Sequence, residues 1–228
     1  MKKLKIDFHT HSGEDPHDKI SYTGFELIDK AVELGYDALA ITNHESLTYS
    51  LELRDYAEKK GLLLLPGVEA TFEGKDVVII NPIPKLSYKR KSFAELADFK
   101  RETSLIIAPH PYYPTPRSLK EKLVEHIHFF DAIEFNQCYN HFLNPNRPAL
   151  EIAQQHELRV VGNSDCHFLW QLGRTYTLVE AEQNIFSIIQ AIRKGNFELK
   201  TSPISLFSIG RISLNFFLHR IFKIPLRI

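Results

Sequence analysis

The chain holds only two cysteines in 228 residues, Cys138 and Cys166. That is too few for a disulfide framework and suits a reducing compartment, so a cytoplasmic location is expected. It has no net charge, with 28 Lys and Arg against 28 Asp and Glu. Binding a phosphate backbone through the overall field needs an excess of bases, so there is no strong nucleic-acid signal. No uninterrupted apolar run reaches the roughly 18 residues that mark a membrane span. The apolar stretch after Lys2, Lys3 and Lys5 ends at Asp7, which is too short for a signal peptide. No internal repeat and no low-complexity linker is visible. The remaining composition, 43% hydrophobic and 25% charged, fits one soluble domain with a sizeable core.

The charge is unevenly placed. From Leu199 onward there are five Lys or Arg and no acid, which leaves 23 bases against 28 acids before it. In the same region, twelve of the residues from Ile204 to Ile224 are Ile, Leu or Phe, with Arg211, Arg220 and Lys223 among them. A helix there would place Phe207, Leu214, Leu218 and Ile221 on one face, with Arg211, Asn215 and Lys223 mostly off it. The chain therefore divides into a main domain, 1–202, and an apolar, basic tail, 203–228. The tail is expected to be a last helix packed on the domain, a homo-oligomer contact or a membrane-surface segment. It is not expected to take part in the catalytic site.

Along the main domain, short apolar runs alternate with amphipathic segments. The runs Leu4–Phe8, Asp37–Thr42, Leu62–Pro66, Asp76–Asn81, Leu105–Ala108, Ala132–Phe135 and Arg159–Gly162 read as strands. Possible capping boxes start at Thr23, Ser92 and Ser118, and Asn144-Pro145 reads as a helix start. Gly35, Gly61 and Gly195 sit where helices should end. This alternation implies an α/β fold with a mainly parallel sheet, and seven strands suit a barrel. Only the step from the third strand to the fourth lacks room for a helix, so a hairpin-like step is expected there.

Chemistry-bearing residues collect after these strands. His9 and His11 follow the first, His44 the second, Glu69 the third, His110 the fifth, and Asp165 and His167 the seventh. In parallel α/β folds that end of the sheet carries the site. Imidazole and carboxylate together suit Zn, Mn or Fe. One acid, Glu69, could bridge two cations, and seven or more converging ligands point to two or three divalent ions. Ions about 3.5–4 Å apart would clamp a phosphoryl group and acidify a shared water, so the expected nucleophile is a metal-bound hydroxide. A single histidine after a strand is usually an ordinary core or surface residue; the joint pattern carries the reading. His126, His128, His156 and His219 fall mostly on predicted helices and are read as structural, with His141 held open. Gly67 and Gly162 read as turn residues. Asn43 and Asn163 suit loop hydrogen bonds. Cys166 should point away from its neighbours Asp165 and His167 as a small buried residue.

The blocks "DFHTHS", "ITNH", "PGVE", "APHP" and "NSDCH" occur in that order over roughly residues 4–180. They resemble the PHP family, the polymerase and histidinol phosphatase superfamily of metal-dependent phosphoesterases. The resemblance implies a distorted seven-stranded (β/α)7 TIM-like barrel. It implies one metal on His9, His11, Glu69 and Asp165, and a second shared by Glu69 and His110. A third would sit on His44 and His167 with a group from the first loop: His17, Asp15 or Asp18. Two positions depart from the family pattern. Asn43 stands where an aspartate is common. Asp76 stands where a histidine is common and could still ligate the second metal. Glu134 and Asn136 match positions that line the pocket. Arg174 follows the last ligands and could grip phosphate in bidentate fashion, and Arg117 and Arg147 could reach the rim. The expected catalytic set is Glu69, Asp165, His110 and Arg174.

The leading function is hydrolysis of a phosphomonoester or small nucleotide. The alternatives are an oligonucleotide exonuclease and a catalytically degenerate metal-binding module that recruits partners.

Overall fold

The computed structural model describes residues 3–84, 88–90, 92–222 and 224–226. Ten strands form its sheet: β1 (Lys3–Thr10), β2 (Ala38–Ile41), β3 (Leu63–Phe72), β4 (Lys75–Ile80), β5 (Lys89–Arg90), β6 (Leu105–Ala108), β7 (Ala132–Asn136), β8 (Arg159–Asn163), β9 (Tyr176–Glu180) and β10 (Phe197–Lys200). Six helices accompany them: α1 (Gly24–Glu33), α2 (Leu51–Lys59), α3 (Glu121–Glu125), α4 (Arg147–Gln155), α5 (Ile185–Lys194) and α6 (Leu206–Phe222). All seven expected strands are present. The very short β5, and β9 and β10, were not anticipated.

The strand order is β10-β9-β1-β2-β3-β4-β6-β7-β8, with β5 on β3. The pairs β1–β2, β2–β3, β6–β7 and β7–β8 are parallel. The pairs β3–β4 and β4–β6 are antiparallel, which is the hairpin-like step. At the far edge β9 runs antiparallel to β1 and β10 to β9.

The two ends of this sheet curl together into a barrel. Thr177 Oγ1 on β9 accepts from Gly162 N on β8 at 2.9 Å and donates to Gly162 O at 3.0 Å. Phe8 N on β1 donates to Asn163 Oδ1 at 3.0 Å. The close approach requires a glycine, since a Cβ on residue 162 would lie 2.2 Å from Leu199 Cδ1 and 3.0 Å from Tyr176 O. Gly67 is likewise inside a strand, where a Cβ would meet Thr42 Cγ2 at 2.7 Å. Neither glycine is the turn residue expected: both allow strands to pack closely.

One buried cluster draws on strands all round the sheet, including Ile6, Phe8, Ala38, Ala40, Leu65, Val78, Ile107, Ala132 and Val161. Two outer clusters lie under the helices, one with Leu27, Ile28 and Leu39, the other with Phe93, Leu123 and Ile133. Side chains two apart in a strand share a face, so the inner face can be followed along each strand. On β3 it runs from Leu65 to Glu69, on β7 from Ala132 to Glu134 and Asn136, and on β8 from Val161 to Asn163. The barrel thus has an apolar floor and a polar mouth. Because β4 is reversed, its polar residue comes first, and Asp76 reaches the same mouth.

The helix signals fare unevenly. Thr23 and Ser92 form capping boxes with Glu26 and Glu95, the second on a 3-10 turn, Phe93–Phe99. Ser118 caps nothing, because its hydroxyl donates to His110 O at 2.9 Å. Helix α4 starts after Asn146, two residues beyond the expected Asn144.

Candidate metal centre

Several of the expected ligands sit deeper than the loops assigned to them. His9 lies within β1 and Glu69 within β3, because β3 continues past Pro66 as a ladder with β4. His11, His44, His110, Asp165 and His167 do follow strand ends. Asp165, at φ 49°, and His110, at φ 29°, hold left-handed backbone conformations that side chains other than glycine rarely adopt. Such strain persists where surrounding contacts over-determine it, commonly at functional sites.

Four atoms form the centre. His9 Nε2 is 3.1 Å from His11 Nε2, 3.4 Å from Glu69 Oε2 and 3.5 Å from Asp165 Oδ1. His11 Nε2 is 3.4 Å from Glu69 Oε2 and 3.3 Å from Asp165 Oδ1. Metal–ligand arms of about 2.0–2.2 Å in a tetrahedron have edges of roughly 3.3–3.6 Å. Four of these five distances fall in that range, and His9, His11 and Glu69 form one group that could hold an ion, with His11, Asp165 and His167 a second. The chemistry matches too. His9 Nδ1 lies 2.7 Å from Glu134 Oε2, and His11 Nδ1 lies 3.1 Å from Asp15 Oδ2. With those nitrogens donating to carboxylates, the two Nε2 lone pairs face each other and require a cation or proton between them.

Glu69 has two sides. Its Oε2 also lies 3.1 Å from His44 Nε2, and its Oε1 lies 3.2 Å from His110 Nε2. It is placed as a bridging carboxylate should be. The Nδ1 of His110 is buried and has no hydrogen-bond partner among the described residues. Asp76 has a carboxylate oxygen within 4.8 Å of a Glu69 carboxylate oxygen and a His44 ring nitrogen. That carboxylate is already engaged, since Arg117 Nη1 donates to Asp76 Oδ1 at 2.7 Å.

The first loop divides its three candidates. Asp15 accepts from His44 N at 2.8 Å and faces both His11 Nδ1 and His44 Nδ1. Asp18 Oδ2 lies 3.0 Å from His167 Nε2. His17 stands at the rim, stacked on His44 at 5.5 Å, with Arg117 Nη2 3.3 Å from its Nδ1. Asn43 links this loop to β2 by accepting from Ser12 N and donating to Ser12 Oγ.

The electrostatics follow from burial and proximity. Burial alone would lower the histidine pKa values, but the surrounding carboxylates overcome it. His44 is pushed up to about 9, chiefly by Glu69 and Asp15. His110 is pushed up to about 9 by its contact with Glu69 and by Asp165. His9 is raised well above its usual value by Glu134, Asp165 and Glu69. Burial would raise Glu69 and Asp165, yet the imidazoles hold both well below the usual carboxylate range. The opposite holds for Asp76: burial, with Glu69 nearby, lifts it to about 6 despite Arg117. The centre is a sink for positive charge.

Other expectations fall outside the cluster. Arg174 is exposed and its side chain makes no hydrogen bond or ion pair among the described residues, and Arg147 and His141 are exposed as well. Cys166 is buried and turned to the outer core beside Tyr22, as expected. Several contributors were not anticipated. Asp7 accepts from His9 N and Ser164 N and, buried, is pushed up to about 7. Its spacing of two from His9 and four from His11 was the available signal. Glu134, an acid inside an apolar strand, was also visible, but its role as the partner of His9 was not. His219, read as structural, lies with Nε2 3.6 Å from Asp18 Oδ1, and Phe216 packs edge-on to His167 at 4.9 Å. The tail therefore reaches the site, contrary to expectation; of its bases, Lys223 and Arg227 lie outside the described residues.

A family model described as PHP-associated matches residues 144–197. The uncharacterized protein MJ0417 of Methanocaldococcus jannaschii is 25% identical over 178 residues, covering 76% of this chain and 69% of that protein. The fold is similar to that of a two-domain Bacteroides vulgatus protein said to contain a predicted PHP-like metal-dependent phosphoesterase. The TM-score is 0.70 at 21% identity, covering 88% of this chain.

The fold and the matched segment are both similar to those of PHP proteins.

This chain spans 65% of the Bacteroides protein's length. The barrel also matches the lesion-specific endonuclease PfuEndoQ of Pyrococcus furiosus. There the TM-score is 0.63 at 18% identity, covering 86% of this chain and 57% of that one. No helix among the described residues is long and apolar enough to cross a membrane.

Proposed function

We propose that the chain is a metal-dependent phosphoesterase that hydrolyses a phosphomonoester or small nucleotide, using two or three divalent ions such as Mn, Zn or Fe. The observation that carries this reading is the four-atom donor set of His9, His11, Glu69 and Asp165, with edges of 3.1–3.5 Å. The PHP-like phosphoesterase matched above agrees with it. When bound, the ions would polarise a phosphoryl oxygen and acidify water.

The chain's own residues supply the rest. Glu134 and Asp15 orient His9 and His11 so that each Nε2 faces the centre. Glu69 presents one oxygen to either half of the site. His110 Nε2, 3.2 Å from Glu69 Oε1, can hold a proton beside the centre. Arg117, at the mouth between Asp76 and His17, presents a guanidinium to an incoming anion. The endonuclease among the similar folds makes nucleic acid a second substrate class, but the main domain carries net −4 and offers no basic track for a long phosphate backbone.

The test is elemental analysis of the purified protein, followed by hydrolysis of p-nitrophenyl phosphate and a panel of phosphorylated metabolites and short oligonucleotides with added manganese. At least two ions per chain and metal-dependent phosphate release are expected. Full activity in metal-free protein would overturn the reading.

A further inference from the structure

Helix α6 is apolar on two opposite sides. One side is in use: Ile209, Ile212 and Phe216 pack into the outer core. The other carries Phe207, Leu214, Phe217 and Ile221, which are 54–79% exposed. Positions 207, 214, 217 and 221 share a face at helical spacing. Among the described residues, seven of the 13 large apolar side chains that are exposed lie between Leu206 and Ile224, while the other six are spread from Leu51 to Phe186. Scattered exposed apolar residues are ordinary, but a continuous row marks a contact surface.

Charge identifies the occupant. The tail, 203–228, carries four bases and no acid, whereas Lys200, just before it, is paired with Glu198. A symmetric dimer through α6 would set this tail against its own copy, bringing like charges together with no ion pair available inside the contact. An anionic lipid surface has the opposite sign and accepts apolar side chains beneath its headgroups. Arg211, one turn after Phe207, sits beside the exposed row, with its guanidinium 6.0 Å over the Trp170 ring.

We propose that the outer face of α6 seats the protein on an anionic lipid surface, with Phe207, Leu214, Phe217 and Ile221 entering the headgroup–acyl boundary. The opposite side of the same helix carries Phe216 and His219 against His167 and Asp18. The candidate metal centre would then lie one helix away from the lipid. This inference does not depend on which reaction the centre performs.

The full chain is tested by co-sedimentation with vesicles of equimolar phosphatidylcholine and phosphatidylserine, and with phosphatidylcholine alone. Binding to the first, little to the second, and weakening with salt are expected. The combined Phe207→Ser, Leu214→Ser, Phe217→Ser and Ile221→Ser variant should abolish binding while keeping the wild-type melting transition, since all four side chains are exposed. Arg211→Glu should weaken it at least about fivefold, one base near an anionic surface being worth roughly that factor. If the serine variant does not fold, Arg211→Glu and the salt series decide. Equal binding to both vesicle types, or no binding to either, would overturn the proposal. So would a wild-type dimer, by sedimentation velocity, that ignores vesicles and dissociates in the serine variant.

Discussion

The Nδ1 of His9 lies 2.7 Å from Oε2 of Glu134, and both side chains are fully buried. Glu134 also accepts from Asn136 and Asn163, so its carboxylate is held in place from three directions. A carboxylate so fixed selects the tautomer of His9 and aims its Nε2 at the centre.

Glu134→Gln should therefore lower metal affinity about 10–100-fold without unfolding the barrel. Competition with a chelator of known affinity, alongside circular dichroism, measures both. Unchanged affinity would show that His9 does not need this partner.

Asp165→Ala and His9→Ala should each remove bound metal and reduce turnover by on the order of 10²-fold or more, by analogy with the losses on removing residues behind the ligands. His156→Ala, an exposed change at the end of α4, should alter neither. Equal losses in all three would place the centre elsewhere.

Arg117→Gln should weaken inhibition by inorganic phosphate about 10–100-fold, the worth of a charge-assisted hydrogen bond. Metal content should not fall, because Arg117 is not among the donors. If phosphate inhibition is unaffected, the guanidinium serves Asp76 alone.

The metal-free protein should lose stability as pH rises from about 6.5 to 9. His44 and His110 have folded pKa values raised to about 9, so the folded state holds protons that the unfolded chain releases near 6.5. Their contribution is complete below pH 6.5 and gone above 9. With metal bound, the trend should weaken or reverse, because cations need deprotonated imidazoles. Melting temperatures across this range, with and without chelator, check the sign.

Gly162→Ala should destabilise the fold by about 1–3 kcal/mol, the usual cost of overpacking. The new methyl would press on Leu199 and on the Tyr176 carbonyl at the barrel seam. Urea denaturation gives the value, and an unchanged midpoint would mean that the seam opens freely.

The donor types, their order and the seven main strands could all be read along the chain. Each is a local signal: an apolar run sets the strand, and the polar residue that ends its inward face becomes a ligand. Period two made His9 and His11 neighbours before any fold was known. Strands β9 and β10 were missed because YTLVE and FELK are not continuous apolar runs like the parallel strands, and they serve as the cover of the β8–β1 gap. Glu69 was placed too late because nothing local showed that β3 would continue past Pro66 as a ladder with β4.

What the linear order left open was which side chains meet. Glu134 is 125 residues from His9, and Asp18 is 149 from His167. Such pairs exist only once the barrel closes, because closure brings strand ends from distant parts of the chain to one mouth. The same holds for Arg117 on Asp76, and for α6 placing Phe216 and His219 at the site. Residue types set which donors were available; chain closure set their partners, their orientation and the 3.1–3.5 Å spacing that makes them a candidate metal centre.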